Sequence, residues 1–384
     1  MKILFVCNNA FNPGNGLSVS IRHTMKGLRE LGVDARLMAV RNPDPEGPQP
    51  DFPLAHFKFP IFEPIIRANG FCYAKIDRKV IREAVGWADV VHFQEAFFLE
   101  NAVRRIARKL GKPCTATFHL YPHNVTANLG IGRWEWANRL AIRYWNWCVF
   151  DYCTDIQCPS RAAERYLRES GVQARTHVIS NGINLPAEPE KVLPLDGNGT
   201  IDLLCIGRLS REKSQETLLE AMRFSRYAHR IRIHFAGRGT REKAYRRKAE
   251  ELLSEGILKH RPTFGFYDAE GLADLTRRSW LYIHCAWVEV EGLSCLEATA
   301  RGIVPVIGEG PLIGTTDFAL TPESIYPTGD SRALAGRIDW WIEHPDERNR
   351  YAALQAEAAR KYDIRKSMQA LVAMFEQAVA TPVQ

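Results

Sequence analysis

The sequence contains no run of 18 consecutive apolar residues and no paired cysteines. A helix that spans a bilayer needs about 20 apolar residues, so we predict none. The nine cysteines are spread singly, often within apolar runs, which argues against a disulfide framework and favours a reducing cytosol. Cys153 and Cys158 are close in sequence, but no second pair or histidine cluster accompanies them as in a zinc site. We therefore expect a cytoplasmic protein without a bound metal.

The 384 residues are about twice the length of an ordinary domain, so we expect two domains. The positive charge lies in the first half: residues 1–183 carry 24 Lys and Arg against 16 Asp and Glu, whereas residues 184–384 carry 27 against 28. An anionic membrane surface or an acidic acceptor would suit such a half, and solvated surface residues would explain it equally well. The first alternative would place the protein at the inner face of a membrane. We expect no nucleic-acid partner.

Short apolar runs alternate with helix-like stretches through the first half. We predict strands at 2–7, 34–40, 89–93, 113–118, 155–158 and 177–179. Continuous apolar runs are typical of strands buried on both faces, and their alternation with helices is typical of βαβ units. The first half is therefore predicted to be a parallel α/β domain.

The second half repeats this pattern after a break. Residues 185–200 hold three prolines and two glycines without periodicity, which indicates a linker. Strands are then predicted at 201–206, 231–236, 263–265, 281–285 and 302–307. We predict two Rossmann-like α/β domains, 1–184 and 201–366, that face each other across a cleft. A final helix within 367–384 is expected to pack back on the first domain.

Two glutamates eight residues apart, Glu289 and Glu297, bracket a glycine turn. An apolar run ends before Glu289, and a helix-like stretch begins at Leu293, directly after Gly292. Gly292 would let the backbone approach a ligand closely, and the amides of Leu293 and Ser294 would point at its phosphates. The two acids could hold hydroxyl groups on either side, although Glu297 alone would also be stable near a helix start. The segment predicts a nucleotide-sugar pocket.

Two cations follow the strand at 201–206. Arg208 comes directly after Gly207, and Lys213 lies five residues further on, at the entry to the next helix. Ligands of open α/β sheets lie at the carboxyl ends of the strands, where two cations suit a diphosphate. The alternative is a pair of solvated surface cations, but a helix N-terminus repels positive charge. We predict that Arg208 and Lys213 bind the phosphates.

Three further segments give weaker signals. Gly14 and Gly16 form part of a dinucleotide fingerprint that lacks its third glycine, so we place Gly16 only in a donor-binding loop beside the cleft. His119 ends an apolar run, where a histidine can bond a sugar hydroxyl or a phosphate or can be structural, and His92 is a similar candidate. Residues 237–239, Gly-Arg-Gly, indicate either a ligand loop or a plain turn.

Seven aromatic residues crowd into one segment of the first half. They are Trp134, Trp136, Tyr144, Trp145, Trp147, Phe150 and Tyr152. Together with Arg139 and Arg143 they could lie on a membrane. We expect most of them to pack in the core instead, because the segment leads into the strand at 155–158 and would cover the sheet.

These motifs resemble those of family-four glycosyltransferases with the GT-B fold. Residues 207–214 resemble the family's diphosphate-binding arginine and lysine, and residues 289–297 resemble its E-x7-E motif. In that family the first acid lies by the donor sugar and the reacting carbon, which implies a catalytic role for Glu289. The second acid bonds the ribose hydroxyls of the nucleotide, which implies donor binding by Glu297. Thr117-Phe118-His119 resembles the strand end whose histidine faces the donor sugar, which implies a catalytic role for His119.

The resemblance implies a retaining transfer from a UDP-type nucleotide sugar to an acceptor hydroxyl, with the leaving diphosphate taking the acceptor's proton. The sequence has no Asp-x-Asp motif, so neither a metal nor another cofactor is expected. Glu291 and Leu293 depart from the commonest family pattern. With residues 122–126 and 315–320, this variant is similar to a bacterial branch that includes diacylglycerol glucosyltransferases, which implies a membrane-lipid acceptor.

Other functions are compatible with the same residues. The acceptor could be a soluble glycan or a small molecule. The double fold also suits an epimerase, a phosphorylase or a non-catalytic nucleotide-sugar binder. Neither the sugar nor the linkage follows from the sequence.

Overall fold

The computed structural model describes residues 1–12, 16–60, 63, 72–128, 131–186 and 199–381. The chain forms two compact units, Met1–Gly182 with Ile364–Gln384, and Ile183–Asp363. Most of the predicted linker lies outside the described residues, and so does Gly14. Within the described ranges, no helix has the length and apolar character needed to cross a bilayer.

The first unit is built on a seven-stranded sheet. Its strands are β1 Lys2–Val6, β2 Asp34–Val40, β3 Phe52–Leu54, β6 Val90–Phe93, β7 Cys114–Thr117, β8 Asp155–Cys158 and β9 Arg175–Val178. All pair in parallel, in the order β3-β2-β1-β6-β7-β8-β9. A separate antiparallel pair consists of β4 His56–Phe57 and β5 Tyr73–Ala74. The order reverses direction between β1 and β6.

Helices surround this sheet. They are α1 Gly16–Glu30, α2 Arg78–Trp87, α3 Phe98–Lys109, α4 Pro122–Asn128, α5 Glu135–Cys148, α6 Arg161–Glu169 and the C-terminal helix Ile364–Ala380. Asp77 is the N-cap of helix α2, and its carboxylate accepts hydrogen bonds from the amides of Lys79 and Val80. Helix α1 and the C-terminal helix pack together on apolar residues of β1. They meet closely at Gly27, where a Cβ would lie 2.7 Å from the Met368 Cγ.

The second unit is built on a six-stranded sheet. Its strands are β10 Ile201–Ile206, β11 Ile231–Ala236, β12 Thr263–Gly265, β13 Leu281–His284, β14 Val304–Glu309 and β15 Ile325–Pro327. They are all parallel, in the order β12-β11-β10-β13-β14-β15. This is the strand order of a dinucleotide-binding Rossmann fold, with its reversal between β10 and β13.

Helices flank the second sheet as well. They are α7 Glu216–Ala221, α8 Glu242–Ser254, α9 Ala269–Arg278, α10 Leu293–Ala300, α11 Ser331–Glu343 and α12 Pro345–Ala359. Successive side chains of a strand point to opposite faces. Leu203 and Cys205 of β10 accordingly join one buried cluster, and Leu204 joins another. A strand buried on both faces needs the continuous apolar run seen in the sequence, and the predicted two-domain α/β class is confirmed.

The core-packing prediction for the aromatic segment is wrong for most of its members. Trp145 and Phe150 are buried. The other five are exposed: Trp134 52%, Trp136 64%, Tyr144 40%, Trp147 56% and Tyr152 37%. For the members on α5, the reason is helical periodicity, because the helix turns only the face with Ile142 and Trp145 inward.

Candidate active site

The predicted residues of the second half lie where its strand order reverses. Open parallel sheets bind ligands at such a reversal, beyond the carboxyl ends of the strands. Arg208 follows β10, Glu289 follows β13, and α10 begins close behind Glu289. We call Arg208, Lys213, Glu289 and residues 292–294 the strand-edge cluster.

Lys213 and Glu289 form an ion pair between the Lys213 Nζ and the Glu289 Oε2. Only 22% and 17% of the two side chains are exposed. Burial disfavours the Glu289 carboxylate, but Lys213 and His284 outweigh it and lower the pKa of Glu289 to about 2. Burial also lowers the pKa of His284, whose Nε2 lies 3.4 Å from the Glu289 Oε2 and from the Thr315 Oγ1. The site therefore holds an anionic Glu289 beside a neutral histidine.

Backbone hydrogen bonds fix this ion pair from several loops. The Glu289 amide donates to the Leu312 carbonyl at 2.9 Å, and the Glu289 carbonyl accepts the Gly314 amide at 2.8 Å. The Trp287 amide donates to the Glu212 carbonyl at 3.0 Å, which ties the Glu289 loop to the loop that carries Lys213. The separation of Lys213 and Glu289 is thus set by main chain as well as by charge.

Arg208 lies on the exposed side of the cluster. Its Nη2 donates to the Glu212 Oε1 at 3.0 Å, and 44% of its side chain is exposed. The Glu212 side chain is fully buried. Its second oxygen has no hydrogen-bond partner within the described part of the chain. The Gln215 Nε2 donates to the Arg208 carbonyl at 2.9 Å. Arg208 is therefore held at one edge of its guanidinium and can offer other N–H groups to a ligand.

The Gly-Arg-Gly segment at 237–239 supports this loop. A Cβ at Gly237 would lie 2.0 Å from the Gly207 carbonyl oxygen, and one at Gly239 would lie 2.2 Å from the Leu209 oxygen. No side chain fits at either position. The Leu209 amide donates to the Arg238 carbonyl at 2.9 Å, so the loops after β10 and β11 are bonded backbone to backbone. Sequence reasoning left this segment undecided.

The start of α10 offers free amides. Gly292 is its N-cap in the left-handed region, with φ 85° and ψ 53°, and a Cβ there would lie 2.4 Å from the Thr315 Oγ1. The amides of Leu293 and Ser294 donate to no acceptor among the described residues. The Ser294 Oγ lies 3.0 Å from the Tyr282 hydroxyl. Unbonded amides at a helix N-terminus form an anion site, which here lies next to the Lys213 loop.

Glu297 stands apart from the ion pair. It lies one turn into α10 with an exposed side chain, and no described donor bonds its carboxylate. Partial burial of the carboxyl raises the pKa of Glu297, and the Arg301 charge opposes this. The structure therefore leaves the second acid available to a ligand.

The first unit presents His119 at the carboxyl end of β7. Its Nε2 lies 2.8 Å from the Gln94 Oε1. A carboxamide oxygen only accepts, so the Nε2 carries the proton and the Nδ1 is left as an acceptor. Burial lowers the pKa of His119 to about 3, which keeps the ring neutral. His92, the other candidate, is wholly buried between the hydroxyls of Thr115 and Thr117, each at 2.9 Å, and is structural.

Gly16 is the first residue of α1. A Cβ at Gly16 would meet no described atom within 4 Å, so no steric contact there requires glycine.

Sequence reasoning missed a buried polar cluster at the strand-order reversal of the first unit. The Asn8 Nδ2 donates to the Glu95 Oε2 at 3.0 Å and to the Glu100 Oε1 at 3.2 Å. Burial raises the pKa of both acids, and the Glu95 charge raises that of Glu100 further. Asn8 and Glu95 follow β1 and β6 within two residues, so the strand-end rule that found Arg208 could have found them.

Two family models match the chain. The model described as Glycosyltransferase Family 4 matches residues 14–186, and the model described as Glycosyl transferases group 1 matches residues 193–359. No curated protein matches the chain significantly.

Several solved structures are similar to the chain over nearly its whole length. Sucrose-phosphate synthase from Thermosynechococcus elongatus is 19% identical and has a TM-score of 0.71, and the match covers 99% of this chain and 100% of that one. HepE of Anabaena, solved with UDP and glucose, is 16% identical with a TM-score of 0.70, covering 98% and 99%. The catalytic domain of cholesterol-alpha-glucosyltransferase from Helicobacter pylori is 35% identical but matches only 42% of this chain and 98% of its own, with a TM-score of 0.39.

The matches to sucrose-phosphate synthase and to HepE agree with the two Rossmann-like units and with the GT-B fold that the sequence implied. The two family models leave only residues 187–192 unmatched between positions 14 and 359. The chain belongs to the family-four glycosyltransferases.

Proposed function

We propose that the protein is a retaining glycosyltransferase that moves a sugar from a UDP-linked donor to an acceptor hydroxyl. The observation that carries the proposal is the strand-edge cluster, in which unbonded helix amides lie near the Lys213–Glu289 pair where the sheet order reverses. HepE of Anabaena, which is similar in fold, has been solved with UDP-glucose, and this supports a UDP-type donor. The family resemblance implies retention of the anomeric configuration.

In this proposal the diphosphate binds Arg208, Lys213 and the amides of Leu293 and Ser294. Hydrogen bonds to charged groups contribute about 1.5–3 kcal/mol each. Both cations already face a carboxylate, so the phosphates would share each cation with that acid. Glu297, exposed one turn further along α10, would accept the ribose hydroxyls.

The low pKa of Glu289 restricts its role. A carboxyl group with a pKa of about 2 is anionic at neutral pH and has no proton to donate. Glu289 would therefore accept hydroxyl groups of the donor sugar and stabilise positive charge near the reacting carbon. The acceptor's proton would pass to the leaving diphosphate, whose developing charge Arg208, Lys213 and the α10 start would stabilise.

His119 would contact the donor sugar as a neutral hydrogen-bond acceptor. Its Nε2 proton is directed to Gln94, so its Nδ1 suits a sugar hydroxyl better than a phosphate. The role of His119 rests on the family resemblance together with this local geometry. Gly16 would lie in a donor-binding loop, a role that rests on the partial glycine fingerprint of the sequence alone.

No metal has a role in this proposal, since the cations of the cluster and the helix amides would neutralise the diphosphate. Among the described residues, no group of three His, Cys, Asp or Glu side chains is placed to hold a metal ion. Transfer that proceeds at an unchanged rate in EDTA would agree with this, and loss of transfer that Mg²⁺ or Mn²⁺ restores would contradict it.

The proposed acceptor is a membrane lipid such as diacylglycerol. The net positive charge of the first half and the exposed aromatic residues of α5 support it. A soluble glycan or small molecule is the alternative acceptor for the same chemistry.

Two assays test the proposal. UDP-sugars should raise the melting temperature more than GDP-sugars at equal concentration, because only a bound ligand stabilises the folded state. Radiolabelled donor should then yield an α-linked product with diacylglycerol vesicles. A product formed from the donor alone would indicate an epimerase, and phosphate-dependent cleavage of a glycan would indicate a phosphorylase. Tight binding without transfer to any acceptor would indicate a non-catalytic binder.

A further inference from the structure

We propose that the exposed face of α5 docks on an anionic membrane surface. The residues that define this face, here called the aromatic stripe, are large and apolar and point to solvent. They are Trp134 at 52% exposure, Trp136 at 64%, Leu140 at 63%, Tyr144 at 40% and Trp147 at 56%. Scattered apolar residues are common on surfaces, but five within one short helical segment form a patch of the kind that marks an interaction site.

The stripe follows helical spacing. The α5 members Trp136, Leu140, Tyr144 and Trp147 are separated by four, four and three residues, so they lie on one side of the helix. Ile142 and Trp145 lie on the other side and are 5% and 6% exposed. The helix is thus already anchored to its domain, and the stripe is a second apolar face about 16 Å long at 1.5 Å per residue.

Arg139 and Arg143 lie on the same side of α5 as the stripe, and Arg133 lies just before the helix. All three are exposed, and none forms an ion pair with a carboxylate of the described chain. Tryptophan and tyrosine suit the boundary between water and lipid, because one end of each ring system is apolar and the other is polar. Unpaired arginines alongside them complement anionic headgroups, and the net charge of the first half has the same sign.

A second copy of the chain is a poorer occupant than lipid. A two-fold interface brings the same patch of both copies together, so the arginines of one α5 would face those of the other. Burying such like charges without counter-charges is costly. An anionic lipid surface supplies the counter-charge and accepts the aromatic rings.

The inference deepens the proposed function, because it names the surface through which a lipid acceptor would be reached. It can still be tested without catalysis. Flotation of the protein with vesicles that contain phosphatidylglycerol, compared with pure phosphatidylcholine, measures docking directly at low salt. The wild-type protein should float with the anionic vesicles and should be released as salt is raised.

Two double variants test the two chemical components of the face. Arg139→Gln with Arg143→Gln should weaken binding to anionic vesicles about 30-fold, or about fivefold for each arginine. Trp136→Ser with Trp147→Ser should weaken it at least about tenfold, because less apolar area is buried. Both pairs are exposed, so the melting temperature should stay within a few degrees of the wild-type value.

Matched controls lie in the second unit. Arg247→Gln with Arg261→Gln removes the same charge from residues whose side chains are 80% and 69% exposed. Phe224→Ser removes an aromatic side chain that is 43% exposed. These controls should float like the wild type.

Each outcome decides the proposal. Wild-type protein that stays at the bottom of the gradient in the presence of anionic vesicles at low salt would overturn it. Stripe variants that bind the vesicles as well as the controls would overturn it too. A wild-type dimer in sedimentation velocity, dissociated by the tryptophan pair while flotation is unchanged, would assign the stripe to a second copy instead. Wild-type protein that does not float with anionic vesicles but keeps its UDP-sugar melting shift would overturn docking and leave the transferase proposal standing.

Discussion

In the first unit the strand order reverses between β1 and β6, and in the second it reverses between β10 and β13. Both reversals hold buried acids, but they treat the acids differently. In the first unit the Asn8 amide bonds both Glu95 and Glu100. Among the described residues no cationic side chain bonds either acid, and burial raises the pKa of both. In the second unit Lys213 meets Glu289 and lowers its pKa.

The same topology can therefore support opposite electrostatics. A carboxylate paired with a cation keeps its negative charge at neutral pH. Its site therefore presents one fixed negative and one fixed positive charge to a ligand. A pair of acids without a cation tends to hold a proton instead. The Rossmann-like order places side chains at a common edge, and the residue types that follow each strand decide what the edge binds.

The largest expected effect comes from Gly292→Ala. A left-handed residue with a Cβ costs about 1–2 kcal/mol, and the overlap with Thr315 adds about 1–3 kcal/mol, so unfolding free energy should fall by about 2–5 kcal/mol. Denaturant unfolding measures this. Gly256→Ala is the control, since its φ is 72° but its Cβ would meet no atom within 4 Å. If both variants lost the same stability, Gly292 would not be packed against Thr315 as described.

The combination of Gly292→Ala with Thr315→Ala sharpens that result. Removing the Thr315 hydroxyl and methyl should recover the steric part of the loss but not the conformational part. A double-mutant cycle with Thr315→Ala alone measures the recovery. An additive double variant would contradict the clash.

The next largest effect is expected for Lys213→Ala, which removes the cation that distinguishes the second reversal. Loss of one charged hydrogen bond should lower kcat/KM for the donor about 10- to 100-fold. Arg211→Ala is the control, because Arg211 is an exposed cation in the same loop whose side chain has no described bond. Unchanged donor kinetics would remove Lys213 from the site.

The two reversals should also respond to pH with opposite signs. Glu100 has a raised folded pKa, so its contribution to stability is present below the unfolded value of 4.5 and is lost as pH rises above it. Glu289 has a lowered folded pKa of about 2, so its contribution is present above pH 4.5 and is lost as pH falls towards 2.

Glu100→Gln tests the first of these slopes. The amide keeps the shape without the charge, so unfolding free energy at pH 8 should rise by on the order of 1 kcal/mol. At pH 4 the variant and the wild type should be nearly equal. The exposed Glu83→Gln on α2 should change neither value. A Glu100→Gln variant that is equally destabilised at both pH values would contradict the raised pKa.

The smallest effect is expected for Glu297→Gln. The side chain is exposed and forms no described hydrogen bond, so its loss should leave stability unchanged. If it binds the ribose, KM for the donor should rise about 2- to 10-fold, the equivalent of one ordinary hydrogen bond. Glu309→Gln at the exposed end of β14 is the control. A donor KM for Glu297→Gln equal to the wild-type value would show that Glu297 does not bind the ribose.

Much of the fold follows from local sequence pattern. Strands such as β10 and β13 are buried on both faces, so each is a continuous apolar run in the sequence. These runs alternate with helical stretches along the chain. The strand ends then place Arg208 and Glu289 near each other through topology. The Lys213–Glu289 contact could not be predicted, because it joins residues 76 positions apart through loops whose geometry depends on tertiary bonds.

Other features required the structure because they depend on close approach. The need for glycine at 237 and 239 comes from carbonyls of another loop, and the need at 292 comes from Thr315. The aromatic segment was misassigned because its residue types suit both a core and an interface. Only the orientation of α5 separates Trp145, which is buried, from Trp147, which is exposed.

A crystal structure with bound UDP tests the central claim most directly. We expect the diphosphate to accept hydrogen bonds from Arg208, Lys213 and the amides of Leu293 and Ser294, with the ribose at Glu297. Density for the diphosphate elsewhere, with these groups bonded only to protein or water, would contradict the account.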